Sequence, residues 1–164
     1  MDIVLDTSSI INLINGAVFD RVITMKGYRF FVGDQLLNKE VLNEVQKIII
    51  EALIAKEKII LLSSDITASL ISDLKIKYRL GLGETECMAL CLNTNKAICT
   101  DDFKARKFSV IELGEPLVFG SLSLLKESVS SGTISCTEVL ASYTLMIEKG
   151  GFLPKGLTDD YFCR

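Results

Sequence analysis

The sequence predicts an α/β fold built on a central, mainly parallel sheet. Three observations carry that expectation. Short apolar runs of strand length alternate with stretches whose apolar residues recur at helical spacing. Acidic residues stand where strands stop and helices begin, as in "IVLD" and "AICTDD". A chain of 164 residues with 49% hydrophobic content supplies one compact soluble domain rather than two.

Taken in order, "IVLD" reads as a strand, "SSIINLI" and "AVFDRVITM" as short helices, and "YRFFVG" as a second strand. From Asp34, "DQLLNKEVLNEVQKIIIEALIAK" keeps a helical period, with Asp34 as its N-cap. "KIILLS" is a third strand, and Ser64 or Asp65 caps the helix "ITASLISDLKIKY". After the turn "RLGLG" come the helix "ETECMALCLN", a fourth strand "KAICTD" and a short helix "FKARKF". Two further helices follow, "SLSLLKESVSSG" and "TEVLASYTLMIEKGG"; the second is apolar enough either to pack onto the core or to form a homodimer interface. Asp159 and Asp160 follow no strand and read as a helix start.

Several function classes fall away on composition. The chain has no histidine, which removes the commonest general base and every Ser-His-Asp or Cys-His triad. The five cysteines, Cys87, Cys91, Cys99, Cys136 and Cys163, are odd in number and never form a C-x-x-C pair, so buried reduced thiols are expected rather than a zinc site. No basic leader precedes the first strand, and no apolar run reaches the roughly 18 to 20 residues of a membrane span, which places the protein in the cytoplasm. Any chemistry must rest on carboxylates, lysines, hydroxyls or a metal.

The carboxylates therefore matter. Asp6 ends the first strand, Asp101 and Asp102 end the fourth, Glu84 and Glu86 open a helix, and Glu40 and Glu44 lie one turn apart. In open α/β sheets ligands bind outside the carboxyl ends of the strands, where strand order reverses, so neighbouring first and fourth strands would bring Asp6 to Asp101. Two carboxylates about 4 Å apart repel by about 4 kcal/mol at an effective dielectric near 20. With no histidine to share the charge, a hard divalent cation held by oxygen is the natural counterion. Each acid also has a purely structural alternative: Asp6 as a helix cap, Glu84 as a first-turn acid on a helix dipole, Asp102 as an N-cap, Glu44 as a solvated side chain.

"LDTSSIINL", "LLNKEV", "LGLGETECMAL" and "CTDDFKARKF", in that order and spacing, resemble the acidic motifs of the PIN domain family. The tail, "FGSLSLLKESVSSGTISCTEV" and "GGFLPKGLTDDYF", is similar to the C-terminal extension of a prokaryotic branch related to VapC-type toxins. The resemblance implies a three-layer α/β sandwich over residues 1–164, with an acidic-site core at 1–120 and a helical extension at 121–164. It also implies a metal-dependent ribonuclease that hydrolyses phosphodiesters with Mg²⁺ or Mn²⁺. Asp6, Glu40, Glu84 and Asp101 match the four acids; Asp6, Glu84 and Asp101 match metal ligands; Thr7, Ser8, Thr100 and Asp102 stand at supporting positions. Glu40 fits the second acid better than Glu44. A small antitoxin partner and a homodimer are implied as well.

Net charge is −3 and the isoelectric point about 5.1, which does not favour a polyanion, so a local basic patch must compensate. Lys75, Lys77 and Arg79 before the "GLGE" turn and Lys104, Arg106 and Lys107 after Asp101 are the candidates, with Tyr78 available to stack on an unpaired base. Two other classes stay open: a non-catalytic PIN-like module that binds nucleic acid or protein, and a phosphoryl-transfer domain of another architecture. The second would need a D-x-D motif at the first strand, which "LDTSS" lacks.

Overall fold

Strands with apolar residues on both faces belong in the middle of a parallel sheet covered on both sides. That is where they lie. The structure, a computed structural model, describes residues 1–36, 42–63 and 65–163. Strands β1 (Asp2–Leu5), β2 (Arg29–Gly33), β3 (Ile59–Leu62), β4 (Ala97–Cys99) and β5 (Val118–Phe119) form one all-parallel sheet in the order β3-β2-β1-β4-β5. Ile3 is in register with Phe30 on one side and Ala97 on the other, and Leu5 lies beside Cys99.

The period-two alternation of strand side chains divides the core into layers. Ile3, Leu5, Phe30, Val32, Ala97 and Cys99 face one layer. This holds α1 (Thr7–Asn15), α2 (Phe19–Val22), α3 (Glu44–Ala55), α7 (Ser121–Ser130), α8 (Cys136–Glu148) and α9 (Asp159–Phe162). Val4, Phe31 and Ile98 face the other, where Cys87, Leu90 and Cys91 of α5 (Leu82–Thr94) cover them. The outer side of α5 packs against α4 (Ala68–Tyr78) and α6 (Phe103–Leu113). The result is the expected three-layer α/β sandwich. Among the described residues no helix is long and apolar enough to cross a membrane.

Some boundaries differ from expectation, each for a local reason. Asp34 opens a 3₁₀ turn (Asp34–Leu36) instead of capping a long helix. Helix α3 begins at Glu44, where the Asn43 side chain accepts from the Gln46 N–H at 2.9 Å and the Gln46 side chain accepts from the Asn43 N–H at 3.0 Å. That capping box sets the start, while the apolar period simply runs on upstream. Asp65 likewise opens a short 3₁₀ turn (Asp65–Thr67), with α4 starting at Ala68; Ser64 lies outside the described residues. β5, two residues long, gave no sequence signal. "TEVLASYTLMIEKGG" becomes α8 and buries Val139, Tyr143 and Met146 against the core beside α1 and α7. Asp159 and Asp160 do start a helix, α9.

The cysteines correct the expectation of five reduced thiols. Cys87, Cys91 and Cys99 are free and buried, but Cys136 and Cys163 form a disulfide. The two are 27 residues apart; α9 folds back on α8 and brings them together, with Tyr143 and Phe162 in ring contact beside the bridge. A pairing that depends on helix packing leaves no trace in spacing. Thiol titration of the denatured, unreduced protein should count three thiols, and reduction should raise the count to five. Replacing Cys136 and Cys163 together by serine should lower unfolding stability by roughly 2–4 kcal/mol in a denaturant titration.

Candidate functional site

Strand order reverses between β1 and β4, so the crevice at their carboxyl ends is the topological switch point of the sheet. Asp6 and Thr100 each follow their strand by one residue, and the Asp6 N–H donates to the Cys99 carbonyl at 2.9 Å, extending the ladder just past the strand. Asp6 occupies the N-cap position of α1, yet its carboxylate does not cap the helix. It turns into the crevice. There one oxygen, Oδ2, accepts from the Ser8 hydroxyl at 2.7 Å and from the Thr100 hydroxyl at 2.8 Å.

The same two hydroxyls hold the end of β4. Ser8 Oγ accepts from the Asp101 N–H at 3.0 Å, and Thr100 Oγ1 accepts from the Asp102 N–H at 3.2 Å. A hydroxyl that donates to one acid and accepts from the backbone beside the next fixes their separation. Asp102 Oδ1 accepts from the Ala105 N–H at 2.7 Å and so caps α6, as its structural alternative held. Thr7 is the half-buried first residue of α1; of the two hydroxyls after Asp6, the one that reaches the carboxylate is Ser8's.

Asp101 is held by two partners that the sequence did not announce. Asn12 Nδ2 donates to its Oδ2 at 2.7 Å, and the Ser121 N–H at the start of α7 donates to its Oδ1 at 2.8 Å. Asn12 lies one turn beyond Ser8 on α1, and that spacing was the available signal. A Cβ on Gly120 would displace Asp101 Oδ1 and the Arg106 guanidinium, which occupy the space beside it.

Burial pushes the Asp6 carboxyl above its ordinary range. The Ser8 and Thr100 hydroxyls oppose this, and the charge of Glu84 adds to it. Glu84, half-buried in the first turn of α5, is thus within electrostatic reach of Asp6, although its carboxylate lies back over Gly81. Behind Asp6 the Cys87 thiol points at Leu5 O (3.7 Å) and Asp6 Oδ1 (4.0 Å), and burial keeps that thiol protonated. Glu86, fully buried two residues beyond Glu84, accepts from the Gln35 N–H at 3.1 Å and fills the space that a Cβ on Gly33 would need. It fastens the turn after β2 to α5. Glu40 and the rest of "LNKEV" up to Val41 lie outside the described residues; Glu44 is exposed on α3, as expected of a solvated acid.

The basic candidates divide. Lys104 Nζ donates to the Arg79 carbonyl at 2.6 Å, which ties α6 to the C-terminal end of α4. Arg79 is exposed in a left-handed C-cap and Lys75 is exposed one turn earlier. Arg106 borders Asp101 at Gly120. Lys77 is drawn aside by Glu112 at 2.7 Å, and Lys107 sits over the Phe108 ring. Tyr78 is not a stacking surface: it is buried, stacks on Phe108 at 4.2 Å between centroids and donates its hydroxyl to Glu112. Its place in the repeat Ile71, Leu74, Tyr78 is the core stripe of α4.

Among the described residues no three Asp, Glu or Cys side chains stand close enough together to grip a metal ion, and no Lys or Arg forms an ion pair with Asp6, Glu84 or Asp101. The fold and crevice define a three-layer α/β protein with an acidic cleft at the switch point of a parallel sheet. A family model described as a PIN domain matches residues 2–162, and the chain belongs to the PIN-domain family, whose fold is of the nuclease type. No curated protein matches the chain.

A buried acid whose pKa is raised in the folded state stabilises the fold below its ordinary pKa, and that contribution is lost as pH rises through the folded value. Asp6→Asn removes the burden, since its side-chain oxygen can still accept both hydroxyls. In chelator near neutral pH the variant should melt above the parent, each kcal/mol of relief giving roughly 2–4 °C in a chain of this length. The difference should close as pH falls toward about 4, as read by calorimetry across pH.

Proposed function

We propose that the protein is a Mg²⁺- or Mn²⁺-dependent endoribonuclease that acts on phosphodiester bonds at the crevice between β1 and β4. One observation carries the reading: a buried Asp6 carboxylate lies within reach of Glu84's charge and across the shared hydroxyls from Asp101, and among the described residues no Lys or Arg forms an ion pair with any of the three, although the Arg106 guanidinium neighbours Asp101 at Gly120. In a stable fold such a group of acids calls for an outside counterion.

The donor set suits a hard cation, being oxygen only and supplied by carboxylates. Asp6, Glu84 and Asp101 would hold it, with Glu40 as the further catalytic acid. The chemistry a bound ion of this kind supplies is Lewis acidity: charge neutralisation at the phosphoryl group and a more acidic water. The chain's own part is positioning. Ser8 and Thr100 leave Asp6 Oδ1 free of hydroxyl partners; Asn12 and the Ser121 N–H fix both oxygens of Asp101 while each keeps a second lone pair. Lys75, Arg79, Lys104 and Arg106 would meet the phosphates of an RNA strand. Arg106 borders Asp101 at Gly120, and this local placement answers the negative net charge.

As to role, the resemblance to VapC-type proteins supports a toxin in a toxin–antitoxin pair, acting in the cytoplasm as a homodimer and blocked by a small protein partner that places a basic side chain among the carboxylates. The chain is read as one domain, with residues 121–164 completing the site: α7 supplies the Ser121 N–H to Asp101. A non-catalytic binding module is the second reading, favoured by Glu84 lying back over Gly81.

Purified protein should cut a labelled single-stranded RNA pool in Mn²⁺ or Mg²⁺ and not in chelator. Asn12→Ala should cut roughly 10–100-fold more slowly, the usual cost of losing a partner that orients a ligand, and Asp101→Asn at least as slowly. Equal inertness of all three proteins would favour the binding module.

A further inference from the structure

Two phenylalanines beside the acidic crevice stay in water. Phe103, first residue of α6 and two positions past Asp101, is 83% exposed, and Phe152, in the loop after α8, is 100% exposed. Burying one such side chain is worth about 1.5–3 kcal/mol, which the fold forgoes at both positions. Both line a cavity of about 480 Å³ together with Ser8, Asn12 and Asp101, and both line an adjoining cavity of about 340 Å³ that contains Asp101, Arg106 and Tyr161. Volumes of this order suit a small ligand or one unit of a polymer. Among the described residues Arg106 has no ion pair.

The chain takes specific steps to bring Phe152 here. Gly150 adopts φ +86°, and at Gly151 a Cβ would lie 2.8 Å from Asn12 Oδ1, on the side chain that donates to Asp101. Only a Gly-Gly pair lets this loop turn and come so close.

We propose that Phe103 and Phe152 form a stacking site for an unpaired nucleobase of the strand bound at the carboxylates, with Arg106 on an adjacent phosphate. The proposal rests on the nuclease reading and adds to it the form of the substrate and a role for the C-terminal segment. Every base offers a π-face to an aromatic ring, but a base inside a duplex already has both faces covered. The site therefore selects single-stranded segments. Charge complementarity names the occupant. An apolar helix or a second copy of the chain would have to desolvate Arg106 and Asp101 without partners, whereas a nucleotide offers a base to the rings and a phosphate to the guanidinium.

The chain has no tryptophan, so Phe152→Trp creates a single reporter at a position that packs against nothing. An oligouridylate of about 12 nucleotides, titrated in chelator so that it stays whole, should quench the reporter saturably. The same oligonucleotide annealed to its complement should leave it unchanged. Adding Phe103→Ala should weaken the single strand's affinity about 5- to 150-fold, the stacking range for one base. Absence of quenching, equal quenching by the duplex, or a blue shift with protein concentration alone would overturn the site, the last by showing that a second copy covers Phe152. Absent quenching with metal-dependent cleavage intact overturns the stacking site and leaves the nuclease reading standing; quenching without any cleavage supports the site and overturns the nuclease.

Discussion

Everything about the crevice depends on β1 and β4 lying side by side with Leu5 level with Cys99. Parallel pairing in that register makes both strands end at the same height, so residues almost a hundred positions apart in sequence leave the sheet as neighbours. One residue later Asp6 and Thr100 are in contact, and a residue after that Asp101 meets Ser8. A slip of β4 by one residue would send Ala97 and Cys99 to the wrong layer, at the cost of two buried apolar side chains. The hydrophobic effect thus fixes a polar geometry that carboxylates, which repel, would not adopt alone.

The polar chemistry then follows from restraint. Ser8 and Thr100 hold Asp6 by neutral hydrogen bonds, Asn12 and a backbone N–H hold Asp101, and among the described residues neither acid forms an ion pair. Leaving the acids unbalanced keeps stability lower and the site open to an exogenous ion, the usual exchange between stability and function.

Most of the fold was legible because the strands that matter are buried on both faces and bounded by helical periods. The acids at their ends were legible because charge is rare where a buried strand stops. Other features depended on tertiary packing. Tyr78 reads equally as a stacking ring or a core residue until α6 lies against it; Asn12, Ser121 and Glu86 are ordinary polar residues until the sheet brings Asp101 or the turn after β2 beside them. The start of α3 was misread because the apolar period of "LLNKEVLNEV" continues through the real cap at Asn43, and Cys136 with Cys163 can be paired only once α9 is seen to fold onto α8.

On the proposed reading the crevice between β1 and β4 takes a divalent cation on Asp6 and Asp101. The direct measurement is anomalous diffraction from crystals of the protein grown with Mn²⁺. A manganese peak is expected within coordination distance, about 2.0–2.2 Å for such oxygen ligands, of Asp6 and Asp101, with Glu84 turned from Gly81 toward the ion or linked to it through water. A crevice without manganese, with the Asp6 and Asp101 carboxylates held only by Ser8, Thr100, Asn12 and Ser121, would contradict it.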